Sequence, residues 1–131
     1  MVEMKQIIKP HPEDSRKGKM LLTKEFIFDS AHKLVWHKGK CNELHGHTYK
    51  LQVTVEGKLN KNGIVIDFLD FKKIVKKEVI DILDHYYLNK IIKNPTAENM
   101  VIWIWNQLKN KLNLYEIKLW ETPTSYVSYK G

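Results

Sequence analysis

From His45 to Val55 the chain alternates without a break: His45, His47, Tyr49, Leu51, Val53 and Val55 fall on one parity, and Thr48, Lys50, Gln52 and Thr54 on the other. Side chains two apart share a face of an extended strand, so this stretch reads as a strand with one apolar face, and the fold must supply a layer to cover it. Residues 21 to 32 carry the same period, with Leu22, Phe26, Phe28 and His32 set against Thr23, Glu25 and Asp29. Tyr115, Ile117, Leu119 and Glu121 repeat it near the end of the chain, and Tyr126 to Tyr129 offers a last short strand after Pro123. Asn60-Lys61-Asn62-Gly63 has the residues of a tight turn, from which Ile64-Val65-Ile66 are expected to return antiparallel as a hairpin.

The covering layer has a longer period. Phe71, Ile74, Val75, Val79 and Ile82 follow helical spacing, with Asp67 or Asp70 as cap and an end near Leu83. Asn94-Pro95-Thr96 opens a second helix with Ala97, Val101, Ile104, Trp105 and Leu108 as its apolar stripe. The expectation is an α+β domain over residues 20–131, an antiparallel sheet with two helices against one face, preceded by a loosely held extension over residues 1–19. Such a sheet leaves one face and two edges uncovered, which points to oligomerisation.

Net charge is +7, yet of 22 Lys and Arg residues only Arg16 is arginine, the residue that forks onto base edges and phosphates. Base-specific nucleic-acid recognition is therefore not expected. No apolar run approaches the roughly 20 residues of a membrane span, so no membrane partner is expected either. The single cysteine, Cys41, cannot form an intramolecular disulfide and fits a reducing compartment, with the cytoplasm as the expected location.

His45 and His47 point the same way from one strand and can present two nitrogens to one ion, although histidines on an apolar strand face also occur as satisfied core residues. His32 ends the first strand on an apolar parity, so the three could meet if the strands are neighbours. Three neutral imidazoles with an open fourth position describe a catalytic zinc site, whereas a cysteine-based structural zinc site is excluded by the single thiol. Cys41 reads as either a small buried hydrophobe or a thiolate stabilised by a nearby cation. Asp84-His85 reads as either a capping loop or a general acid/base pair. Glu121 continues a buried parity; it either emerges into solvent or is paired, for example with two N–H donors of a ligand.

Taken in order, Phe28-Asp29-Ser30-Ala31-His32, Cys41-Asn42-Glu43-Leu44-His45-Gly46-His47, Gly63-Ile64-Val65-Ile66-Asp67-Phe68, Leu83-Asp84-His85, Asn94-Pro95-Thr96-Ala97-Glu98-Asn99 and Glu121-Thr122 resemble the motifs of the 6-pyruvoyl-tetrahydropterin synthase and 6-carboxy-tetrahydropterin synthase family. The resemblance spans Phe26 to Tyr129. It implies the tunnelling fold, or T-fold, in which a four-stranded antiparallel sheet with two helices on one face assembles into trimeric barrels that pair as hexamers, with active sites between subunits. It implies Zn2+ on His32, His45 and His47, with Cys41 as the proton-abstracting thiolate and Asp84 and His85 as its acid/base partners. Glu121 would clamp the pterin ring, and Thr96 and Glu98 would lie near it. The implied substrate is 7,8-dihydroneopterin triphosphate. The short spacing between Cys41 and His45-Gly46-His47 is associated with the carboxy-tetrahydropterin branch, which serves queuosine and other 7-deazaguanine synthesis and cleaves the side chain to release acetaldehyde and triphosphate. The pyruvoyl branch, which eliminates triphosphate and redox-rearranges the side chain, has a longer spacing. Some folate-pathway relatives use a glutamate near the position of Glu43 in place of the cysteine, but here Cys41 is retained.

Overall fold

A computed structural model describes residues 18–131. Of the expected extension, residues 1–19, all but Gly18 and Lys19 lie outside the described residues, and Lys19 already opens the first strand. Five strands form one sheet: β1 (Lys19–His32), β2 (His45–Lys58), β3 (Tyr86–Tyr87), β4 (Leu114–Thr122) and β5 (Ser125–Tyr129), in the order β3-β1-β2-β4-β5. The pairs β1/β2, β2/β4 and β4/β5 are antiparallel, giving the four strands expected from the resemblance. The fifth, β3, is a two-residue parallel contact on the outer edge of β1, too short for any periodicity to announce.

The strongly alternating segment is the centre of the sheet. Leu51 of β2 stands opposite Phe26 of β1 and Leu119 of β4. Tyr49, Leu51 and Val53 are completely buried. Burying a side chain of this kind contributes about 1.5–3 kcal/mol, and a one-residue slip would turn the whole set outward, so the register is fixed by burial.

One expectation fails. Ile64-Val65-Ile66 form no strand, because β2 is already paired with β1 along one edge and with β4 along the other, leaving no edge for a hairpin partner. The turn chemistry is real but closes a loop instead. Asn60 accepts from Gly63 N at 3.0 Å through its carbonyl and donates to Ile64 O at 2.8 Å. Gly63 takes φ 80°, open to glycine without penalty. The chain then folds back over β2 with Val65 packed on Gly57, where a Cβ would lie 2.6 Å from the Val65 side chain.

The first helix, α1, runs as Phe68–Val75, a π-helical turn Lys76–Ile80 and Asp81–Leu83. The Asp67 carboxylate caps it by accepting from Leu69 N at 2.7 Å. Its buried residues Phe71, Val75, Val79 and Leu83 recur every fourth position. In a regular α-helix that spacing drifts by about 40° per step, and the wider π turn reduces the drift and keeps all four against the sheet. The second helix, α2 (Ala97–Leu108), buries Met100, Val101, Ile104 and Leu108 in the same core, so both helices cover one sheet face. No helix among the described residues is long and apolar enough to cross a membrane.

Candidate active site

β1 ends where β2 begins, and their antiparallel register puts His32 opposite His45 and Ser30 opposite His47. Three imidazoles thereby gather on the helix-covered face at the end of the sheet, with one nitrogen from each within 4.8 Å of the others. Their hydrogen bonds define which nitrogens are free. His32 Nδ1 lies 2.8 Å from the Pro95 carbonyl and His45 Nδ1 2.7 Å from the Glu43 carbonyl. A carbonyl only accepts, so both Nδ1 atoms carry the proton and both Nε2 atoms, when the rings are neutral, carry lone pairs. Those two Nε2 atoms face each other at 2.9 Å. Two lone pairs at that distance require a positive charge between them, a proton or a metal ion. His47 Nε2 is buried with no hydrogen-bond partner among the described residues, 3.6 Å from Glu121 Oε1.

Burial holds His32 below the ordinary histidine pKa, against the opposing pull of the Pro95 carbonyl and Glu121 carboxylate. It does the same for His47, again against Glu121. Both rings are thus neutral near pH 7, the form that ligates a metal. Desolvation pushes the Tyr49 phenol beneath them further up, so it stays protonated. Nitrogen-only donors with an orphaned buried Nε2 fit zinc, and the backbone carbonyls that bind the two Nδ1–H groups supply the outer-shell orientation such ligands need.

Asp84-His85 is held elsewhere. Alternation puts Asp29 and Thr48 on the face opposite Ser30, His32 and His47. There Asp29 Oδ1 accepts from Thr48 Oγ1 at 2.5 Å. Asp84 Oδ1 accepts from Asp29 N at 3.0 Å and from His85 Nδ1 at 3.0 Å, and His85 N donates to Asp29 O at 2.6 Å. The Asp29 N–H is the main reason that the Asp84 carboxyl lies below its usual range, with His85 adding to it against desolvation. His85 has φ 55°, the one non-glycine positive φ among the described residues, a conformation that costs on the order of 1–3 kcal/mol and persists only where neighbours enforce it. A hollow of about 440 Å³ opens beside it over Ala31 and Gly46. A second cavity, about 450 Å³, lies where β2 and β4 separate beyond the Lys50–Trp120 pair, and His47, Glu121 and Thr122 line it.

Residues 21–131 match the family described as 6-pyruvoyl tetrahydropterin synthase. The chain belongs to this family. A 6-carboxy-5,6,7,8-tetrahydropterin synthase of Haemophilus influenzae is 42% identical over 83% of this chain and 97% of its own length. A dihydroneopterin monophosphate aldolase of Pyrococcus furiosus is 45% identical over 72% of this chain and 82% of its own. Among solved structures, 6-pyruvoyl tetrahydropterin synthase of Caenorhabditis elegans superposes with a TM-score of 0.78 at 29% identity, covering 86% of this chain and 96% of that one. The α+β architecture is the T-fold of these pterin synthases.

Of the other expected site residues, Cys41, Thr96 and Glu98 lie outside the histidine cluster. Cys41 is half-buried in a 3₁₀ turn, Lys40–Asn42, whose Cys41 carbonyl accepts from Leu34 N at 2.8 Å. It is not part of the histidine cluster. Thr96 is the N-cap of α2, its hydroxyl accepting from Asn99 N at 3.1 Å, and Glu98 is exposed on the first turn. Thr96→Ala is therefore expected to lower stability by about 1 kcal/mol, measured as a shift of the urea midpoint at unchanged slope.

Several contributors were missed by the sequence reading. The carbonyls of Pro95 and Glu43 fix the histidine tautomers. Asn89 brackets the residue after His32, accepting from Lys33 N at 2.9 Å and donating to Lys33 O at 2.8 Å. Backbone groups carry no residue-type signature, so no pattern could have singled out the carbonyls. Ser30 and Asn89 gain meaning only from partners more than 50 positions away.

Proposed function

We propose that the protein converts 7,8-dihydroneopterin triphosphate to 6-carboxy-5,6,7,8-tetrahydropterin, releasing acetaldehyde and triphosphate, as a zinc-dependent lyase of queuosine and other 7-deazaguanine synthesis in the cytoplasm. The observation that carries the reading is the array of bare nitrogens: two Nε2 lone pairs at 2.9 Å and an orphaned third beside Glu121. The retained Cys41, its short spacing to His45, and the name of the Haemophilus relative support the carboxy branch.

In this reading His32, His45 and His47 hold the zinc, which when bound supplies Lewis acidity toward the side-chain hydroxyls of the substrate. Glu121, in the cavity between β2 and β4, accepts two hydrogen bonds from the amino-pyrimidinone end and so fixes the side chain over the histidines. Thr96 and Glu98 would contribute to binding the same pterin. Cys41, as thiolate, removes a proton from the side chain, and the Asp84-His85 pair returns one. Because that pair faces away from the histidines within one chain, an adjacent subunit supplies it. Ile27 and Tyr126, 67% and 53% exposed on the open sheet face, are apolar surface that such an assembly would cover, a hexamer built as a dimer of trimers. Lysines supply countercharge for the triphosphate.

The test is incubation of zinc-loaded protein with 7,8-dihydroneopterin triphosphate and mass spectrometry of the products. Carboxy-tetrahydropterin with acetaldehyde is the expected outcome. Pyruvoyl-tetrahydropterin without acetaldehyde would move the enzyme to the other branch, and an untouched substrate would refute the enzymatic reading.

A further inference from the structure

Asp84 and His85 sit in a connection that has almost no length of its own. Leu83 is the last residue of α1 and Tyr86 the first of β3, so the two residues between them take their placement from whatever fixes those ends. One side chain fixes both. Ser30 is 5% exposed, and its hydroxyl lies 2.6 Å from the Leu83 carbonyl and 2.9 Å from the Tyr86 carbonyl. A hydroxyl has one proton, so the two carbonyls share a single donor. The preceding residue completes the grip through its backbone, with Asp29 N–H on the Asp84 carboxylate and Asp29 C=O on the His85 N–H. The connection so held contains His85 at φ 55°, a conformation that an untethered loop would leave. Filling the space does not require an oxygen here, since alanine would occupy nearly the same volume.

We propose that Ser30 is a positioning residue that, together with the Asp29 backbone, splints Asp84-His85 into its working geometry. Ser30 is also the cross-strand partner of His47. One strand therefore sets both the imidazole array on one face and the Asp84-His85 pair at its edge, so that in an assembly the two half-sites keep a fixed separation. The proposal rests on the reading above, in which this pair transfers protons.

The test uses full-length zinc-loaded protein with 7,8-dihydroneopterin triphosphate. Ser30→Ala is expected to lower kcat by about 10–100-fold, the scale of an ångström-level misplacement, at unchanged KM and zinc content. In a His85→Ala background the same change should cause no further loss, because without the imidazole the pair no longer transfers a proton and its position ceases to matter. Amide exchange at His85, followed by NMR, should accelerate in Ser30→Ala. If Ser30→Ala does not fold, Ser30→Cys fills the same space with a weak donor and carries the same expectations. An unaltered kcat, or an equal fold-loss with and without His85, overturns the proposal. Wild-type protein that leaves the pterin untouched marks failure of the functional reading; active wild type with an unaffected Ser30→Ala marks failure of the splint alone.

Discussion

If His47 ligates zinc as proposed, replacing it by alanine is expected to lower zinc affinity by more than about 100-fold, since loss of an outer-shell partner alone costs 10–100-fold and a direct ligand contributes more. The fold should survive. His47 Nε2 has no hydrogen bond to lose among the described residues, so the deletion removes an orphaned polar atom from a buried position. His45→Ala should lose zinc equally but with a different structural consequence, because it takes away the group that faces His32 Nε2 at 2.9 Å. Metal content after dialysis, measured by mass spectrometry beside a circular dichroism spectrum, checks both. Stoichiometric zinc in dialysed His47→Ala would remove His47 from the proposed ligand set, and wild-type protein that binds no zinc would return all three histidines to the role of core residues.

Cys41→Ala carries the second large effect. If the thiolate removes the side-chain proton, its loss should cost about 10²–10⁴-fold in kcat while zinc content stays at the wild-type level. The separation of the two readouts follows from the geometry, since Cys41 stands outside the histidine cluster and its contact with the rest of the loop is made by its carbonyl to Leu34 N, which alanine preserves. Single-turnover measurement of pterin product, with zinc quantified in the same sample, decides it. Wild-type kcat in Cys41→Ala would remove the thiol from the mechanism and turn attention to Glu43 in the same segment.

Periodicity located the long strands and both helices because each buries one face, and burial writes its period directly into residue type. The turn residues Asn60 to Gly63 misled at Ile64-Val65-Ile66 for a physical reason: a turn sequence specifies local backbone angles, whereas pairing needs a free edge, and whether β2 has one depends on β1 and β4. Periodicity was blind to β3, where two residues cannot show a period.

The histidines illustrate the same division. That His45 and His47 share a face, and that His32 lies on the apolar parity of its strand, follows from the sequence alone, because alternation is a property of any extended chain. That the three converge depended on the register that sets His32 opposite His45. The bare state of the His32 and His45 Nε2 atoms depended on two backbone carbonyls, Pro95 and Glu43. The placement of Asp84-His85 away from them, on the far side of β1, likewise came from tertiary contacts to Asp29 and Ser30. Residue identity thus determined which chemical groups this protein owns and which faces they occupy. Only the folded chain decided which of those groups meet, because meeting is settled by strand pairing and by backbone hydrogen bonds between segments that the linear order keeps apart.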